Sequence, residues 1–233
     1  MSRSKKYRSS LDKLKGNAFY GLSEAIKLLR ETNTVKFDAT AEVHFNLNID
    51  PTKSEQALRG TIALPHGSGK KLRIAAIVND NNVKVAKAAG AEAAGLEDLI
   101  EEFSKGKVNY DIVVATPDVM KSLGKIAKIL GQKGLMPNPK SGTVSDNIEK
   151  TIKELMAGRV EYRNDKEGNL HTIFGKMSFK DEELENNLKT IIKAIRNSKP
   201  STVKGTFVSS ITITSTMGPG IHLSVNDTLK SVS

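Results

Sequence analysis

The chain of 233 residues contains no cysteine and no tryptophan, and aromatic residues make up only 5% of it. Without cysteine there can be no disulfides, thiolate metal sites or cysteine nucleophiles. Long apolar runs are also missing: none approaches the roughly 20 residues a membrane helix needs. Met1 to Arg8 are basic with no apolar stretch behind them, so no secretory signal is expected. The histidines His44, His66, His171 and His222 lie far apart without an HExxH pairing, which argues against a metal site. No pair of carboxylates is set off by its spacing, and Ser, His and Asp form no recognisable nucleophile arrangement. These absences point to a soluble cytoplasmic protein with no cofactor, no metal and no catalytic apparatus.

What is present is positive charge: 36 Lys and Arg against 26 Asp and Glu, a formal net charge of +10. This favours a polyanionic partner, nucleic acid foremost. The excess is diffuse, at +4 over residues 1–66, +3 over 67–158 and +3 over 159–233. Two local concentrations stand out. One is Arg3, Lys5, Lys6, Arg8, Lys13 and Lys15, opposed only by Asp12. The other lies between Asp118 and Asp146, where there is no acid but Lys121, Lys125, Lys128, Lys133 and Lys140. Its Gly131–Thr143 part is dense in turn formers, and long basic loops often carry contacts.

Hydropathy divides the chain into three. In Ala39 to Ile49 every odd position is apolar and every even one polar, the pattern of a strand buried on one face only, as in antiparallel sheets. A helix capped by Ser23 precedes it. Near the C-terminus, Arg159–Tyr162 and Leu170–Phe174 read as a hairpin. A helix follows over Asp181–Arg196, with acids first and bases last to match the helix dipole, and then a strand over Gly205–Thr216. The middle differs. Leu72–Val78 and Tyr110–Ala115 are nearly continuous apolar strands, alternating with helices near Val83–Ala89, Leu96–Ser104, Val119–Leu130 and, capped by Ser145, Asp146–Met156. That alternation predicts a parallel sheet covered on both faces. The expected fold is therefore mixed α+β and α/β in two domains. Residues 1–66 with 159–233 would form a discontinuous α+β domain with an antiparallel sheet, and 67–158 an inserted Rossmann-like three-layer α/β domain. Two side-by-side connections, at Pro65, Gly67 and Gly69 and at Gly158, would make a hinge.

Gly67-Ser68-Gly69-Lys70 lacks the GxxxxGK[ST] spacing of a phosphate loop and is followed by a strand, so it reads as a linker. Gly90 to Gly95 reads as a turn. Ser210, Thr212, Thr214 and Thr216 repeat along one strand face every ~6.6 Å. Hydroxyls at that spacing suit a nucleic-acid strand. The Met217-Gly218-Pro219-Gly220 turn would let a partner approach the backbone. Phe37, flanked by Lys36 and Asp38, could stack on a base.

Seven segments in order carry a resemblance: Lys36-Phe37-Asp38, Leu64-Pro65-His66-Gly67-Ser68-Gly69-Lys70, Ala115-Thr116-Pro117-Asp118, Gly134-Leu135-Met136-Pro137-Asn138-Pro139-Lys140, Arg163-Asn164-Asp165-Lys166, Lys204-Gly205-Thr206-Phe207 and Thr216-Met217-Gly218-Pro219. Together they resemble the bacterial ribosomal protein L-one family over essentially the whole chain. Gln132 stands where the family usually has proline. The resemblance implies that the discontinuous domain grips large-subunit rRNA at the mobile stalk, that the stalk assists release of exit-site tRNA, and that the protein represses its own operon mRNA. It further implies other large-subunit components as neighbours, a monomeric free state and a cytoplasmic location in the large ribosomal subunit. Onto the rRNA site it carries Lys36, Phe37, Thr40, Glu42, Ser210, Thr216, Met217 and Gly218. Strand geometry adds His171, Lys176, Thr212 and Thr214. Lys121, Lys125, Lys128, Lys133 and Lys140 are candidate tRNA or rRNA contacts. The alternatives are an enzyme that binds a nucleotide or small ligand in the inserted domain, and a non-ribosomal mRNA regulator.

Overall fold

A computed structural model describes residues 4–16 and 18–232. In chain order the helices and strands are α1 (Lys5–Leu11), α2 (Leu22–Thr32), β1 (Thr40–Leu47), β2 (Arg59–Ala63), β3 (Ile74–Ile77), α3 (Asp80–Ala88), β4 (Ala93–Gly95), α4 (Glu97–Ser104), β5 (Ile112–Ala115), α5 (Ala127–Gln132), α6 (Ile148–Met156), β6 (Arg159–Arg163), β7 (Asn169–Lys176), α7 (Asp181–Asn197), β8 (Val208–Ser215), β9 (Ile221–Leu223) and α8 (Val225–Ser231). The chain divides into two compact units, Met1–Gly69 with Val160–Ser233, and Lys70–Arg159. The architecture is mixed α+β and α/β, with one antiparallel and one parallel sheet.

The first unit is built on a four-stranded sheet in the order β7-β1-β8-β9. The alternation in β1 sends Ala41, Val43, Phe45 and Leu47 inward. There they join Leu170 and Phe174 of β7, Ile211 and Ile213 of β8 and Ile221 and Leu223 of β9. Helices α2 and α7 close this side with Ala25, Ile26 and Leu29 and with Leu184, Leu188, Ile191, Ile192 and Ile195. The other face of the sheet carries the even residues of β1.

Some local expectations are corrected. Ser23 does not cap α2, which begins one residue earlier with Gly21 at the cap position; Ser23 Oγ donates to Glu185 Oε2 instead, at 3.0 Å. The supposed hairpin is two separate pairings. β6 pairs with β2 in a two-stranded sheet and β7 pairs with β1, leaving only the Asn164–Leu170 bridge between them.

In the second unit, β4-β3-β5 form a three-stranded parallel sheet with β3 in the middle. The continuous apolar run in β3 has a simple cause: both faces are covered. Ile74, Ala76 and Val78 pack with Ala86 of α3 and Ile148, Ile152 and Leu155 of α6. Ala75 and Ile77 pack with Leu99 and Phe103 of α4 and with Leu123, Ile126 and Leu130. The Gly90–Gly95 segment, expected to be a turn, includes edge strand β4. Pro117–Ile126 forms a 3-10 helix before α5, where one continuous helix was expected. Gly124 within it weakens the α alternative, whereas Pro117 sits at the first position, where either helix accepts it. Asn147 caps α6 rather than Ser145, its side chain accepting from the Lys150 amide at 3.0 Å.

Candidate nucleic-acid interface

The outer face of the four-stranded sheet is a register of rows that are polar except at Ile173. Asn169, Asn46 and Ser210 form one row, and His171, His44, Thr212 and His222 a second. Ile173, Glu42 and Thr214 form a third, and Lys176 and Thr40 the last. His171 and Lys176 are five residues apart, an odd spacing that a regular strand would split between its two faces. An irregularity opposite Ala41 and Glu42 inserts one extra residue in β7 and brings both to the outer face.

At the Thr40 end, sequence segments far apart converge. The Thr40 amide donates to Thr216 Oγ1 at 3.0 Å, and the Thr216 amide donates to Thr40 O at 3.0 Å. Lys176 Nζ donates to Thr40 Oγ1 at 2.8 Å. Asp38 accepts from the amide and hydroxyl of Ser178, both at 3.0 Å. Arg30 clamps the same turn by donating to the carbonyls of Met177 and Phe179 while pairing with Asp181. Anchored this way, Lys36 and Phe37 project outward; Phe37 is 57% exposed. Across from them the turn after β8 is closed by the Gly218 amide on Ser215 O, at 2.7 Å. Its apex, Met217, is 77% exposed and has φ 68°, the left-handed region that costs an ordinary residue ~1–2 kcal/mol.

The hydroxyl ladder is partly engaged within the protein. Thr216 Oγ1 is taken up by Thr40, and Thr214 Oγ1 faces the carbonyls of Gly218 and Pro219, each at 3.2 Å. Thr212 Oγ1 pairs with His222 Nδ1 at 3.0 Å. These hydroxyls therefore build the surface first: Thr214 and Thr216 commit their single proton to the protein's own carbonyls, so toward a ligand they act as acceptors. A β-carbon at Gly218 would run into the buried Ser215 Oγ and force that hydroxyl aside, so glycine serves the packing of the turn itself.

His44 and His171 face each other with their Nδ1 atoms 2.9 Å apart. Burial, and then the neighbouring His171, hold the His44 imidazole below its ordinary value, with Glu42 acting against them. His44 and His222 belong to this face but were absent from the sequence-derived set. The alternation of β1 already pointed His44 outward; nothing local identified the three-residue β9 that carries His222.

The remaining candidates belong to other segments. Lys121, Lys125, Lys128, Lys133 and Lys140 are all exposed, but all lie in the second unit. Lys133 is engaged with the segment that follows α4, donating to the carbonyls of Val108 and Gly106 at 3.3 and 3.5 Å. Of the N-terminal basic cluster, Arg3 lies outside the described residues. Pro65, Gly67 and Gly69 precede the crossing at Gly69–Lys70, and Gly158 precedes the return at Arg159–Val160. Fully buried Asn187 fixes the first of these segments. Its oxygen accepts from the His66 amide at 3.1 Å, and its nitrogen donates to Gly67 O and Phe174 O, both at 2.9 Å. Gly69 (φ 71°) then lies so close to β7 that an added β-carbon would meet Lys176 Cγ at 2.6 Å. This is a packed turn with no cradle for phosphate.

The inserted unit has a cleft of about 540 Å³ lined by Asn79, Asp80, Lys87, Gly95, Glu97 and Asp98 among others. Asp80, Glu97 and Asp98 sit at the starts of α3 and α4, where a nucleotide phosphate would have to bind. Three carboxylates there repel it.

An antiparallel sheet with one polar face, interrupted by a doubly covered α/β unit, defines the class by architecture: a two-unit protein of mixed α+β and α/β type. The family described as ribosomal protein L1p/L10e matches residues 29–219, and the chain belongs to it. It is 47% identical over 223 residues to the large ribosomal subunit protein uL1 of Phytoplasma australiense, covering 96% of this chain and 97% of that protein. The protein is thus a ribosomal protein of the cytoplasmic ribosome and not an enzyme.

Proposed function

We propose that the protein binds large-subunit rRNA through the outer face of its antiparallel sheet. The observation that carries this reading is the convergence at Thr40. Thr216 and Lys176 bond directly to Thr40, and the anchored Lys36-Phe37 segment and the Met217 turn flank the same end. Lys36 supplies salt-sensitive attraction to phosphate. Phe37 and Met217 offer apolar surface to an unstacked base. Glu42 takes a ribose hydroxyl or base amine, since it cannot favour phosphate. Ser210, Thr212, Thr214, His171 and Lys176 line the remaining rows, while Thr216 and Gly218 act by holding the turn in place.

In this reading the inserted unit swings on the crossings near Gly69 and Gly158 as exit-site tRNA leaves, with Lys121, Lys125, Lys128 and Lys140 on the moving part. In this reading the pivot lies after Gly67 rather than at Pro65, because Asn187 ties His66 and Gly67 to its own unit. An operon mRNA that imitates the rRNA would occupy the same face, giving autogenous repression. The family name and the relative's name support the ribosomal setting.

The test is Phe37→Ala. Because the side chain is exposed, stability should be unchanged, whereas affinity for large-subunit rRNA in a filter assay should fall by roughly 1–3 kcal/mol. Wild-type protein should also sediment with large subunits depleted of their own copy. Full rRNA affinity in the variant would remove Phe37 from the site, and failure to co-sediment would point to a free mRNA regulator.

A further inference from the structure

The polar face continues past β9. The segment ending at Tyr20 runs alongside that strand in parallel: the Tyr20 amide donates to His222 O at 3.0 Å, and the Ser224 amide donates to Tyr20 O at 3.0 Å. Tyr20 turns inward and is 6% exposed. Alternation then sends its neighbour Phe19 to the outer face, where it is 69% exposed. Its ring lies beside that of His222, with centroids 6.3 Å apart and planes inclined at 55°. The row His171, His44, Thr212, His222 thus ends in an exposed aromatic ring.

We infer that Phe19 and His222 form a stacking site for an unpaired base of the bound RNA, extending the interface across the whole sheet to the edge opposite β7. This rests on the sheet-face reading above. Three observations favour RNA as the occupant. The site is continuous with the polar rows, the chain carries a net charge of +10, and exposed Lys15, whose amide donates to Tyr20 Oη at 2.8 Å, lies in the same loop. A phenyl face accepts any base, because stacking does not read hydrogen-bond patterns. His222 is held in place by Thr212 through Nδ1, which leaves Nε2 for a ribose hydroxyl or phosphate oxygen.

The experiment compares the full-length wild type with Phe19→Ala, Phe19→Leu, Phe19→Tyr and Phe37→Ala, using protein-free large-subunit rRNA as the probe in a filter assay across a salt series. Phe19→Ala and Phe19→Leu should weaken binding about 5- to 100-fold with the salt dependence unchanged, since no phosphate contact is lost. Phe19→Tyr should stay within about twofold of wild type, because it keeps the ring. Thermal unfolding monitors the fold, and a destabilised Phe19→Ala would leave the decision to the Leu and Tyr variants. Wild-type affinity in Phe19→Leu overturns stacking, even if Phe19→Ala is weak. Wild-type affinity in both, with Phe37→Ala impaired, overturns the site while the sheet-face reading stands and points to a protein neighbour over Phe19. Wild-type affinity in the Phe37 variant as well overturns both.

Discussion

The two units bury their sheets in opposite ways. β3 has helices on both sides, so all four of its residues are buried and none is left for a partner. β1 is covered on one side only, and its outward positions, Thr40, Glu42, His44 and Asn46, remain accessible. In both units the core dictates the inward residues. Only in the discontinuous unit does the sheet keep an accessible face; in the inserted unit helices take up both.

The largest expected effect separates the two cores. Phe45→Ala in the first unit and Phe103→Ala in the second each remove a fully buried ring and should each cost roughly 3–5 kcal/mol. Only Phe45→Ala should abolish rRNA binding. Hydrogen exchange to assign the weakened unit, combined with a filter assay, checks this; equal loss of binding from both would break the comparison.

A smaller effect tests the Met217 turn. Met217→Gly relieves a left-handed backbone but adds freedom to the unfolded chain, so stability should rise by up to about 1 kcal/mol. Affinity for rRNA should fall by about 1 kcal/mol with the lost apolar contact. Urea melts and binding curves would show the two moving in opposite directions; unchanged affinity would make Met217 a bystander.

The smallest effect lies in the inserted unit. The hydrogen bond from Lys70, with further ones from Arg73, lowers the Asp111 carboxyl from 3.8 to about 2 against the opposing pull of burial. Its folded value is depressed, so its contribution is complete above pH ~4 and disappears as pH falls through ~2. Acid titration followed by circular dichroism should show a slope across that window that Asp111→Asn flattens, and rRNA binding at neutral pH should be untouched.

Much of this was legible in sequence where a pattern is local and long. Strict alternation over β1 and the apolar run around β3 declare one-sided and two-sided burial directly. Short or distant pairings were not legible. β6 finds β2 about 100 residues earlier, β4 and β9 have three residues each, and the irregularity in β7 that brings His171 and Lys176 together has no local signature. Within the site, the outward direction of Ser210, Thr212 and Thr214 followed from period two. That Thr214 and Thr216 bond the protein's own backbone did not, because a hydroxyl's partner depends on tertiary neighbours. Gly218 shows the same limit: its missing side chain suggested access from outside, whereas Ser215 already occupies that space.

The bond between Thr40 and Thr216 spans 176 residues and joins the central strand to nearly the last one. During synthesis β1 emerges early, yet it lacks both strand neighbours until β7 and β8 leave the ribosome, while the inserted unit can fold in the interval. The proposed RNA face therefore assembles only on a nearly finished chain. Fragments released before β8 would have no such face and could not compete with complete copies for rRNA.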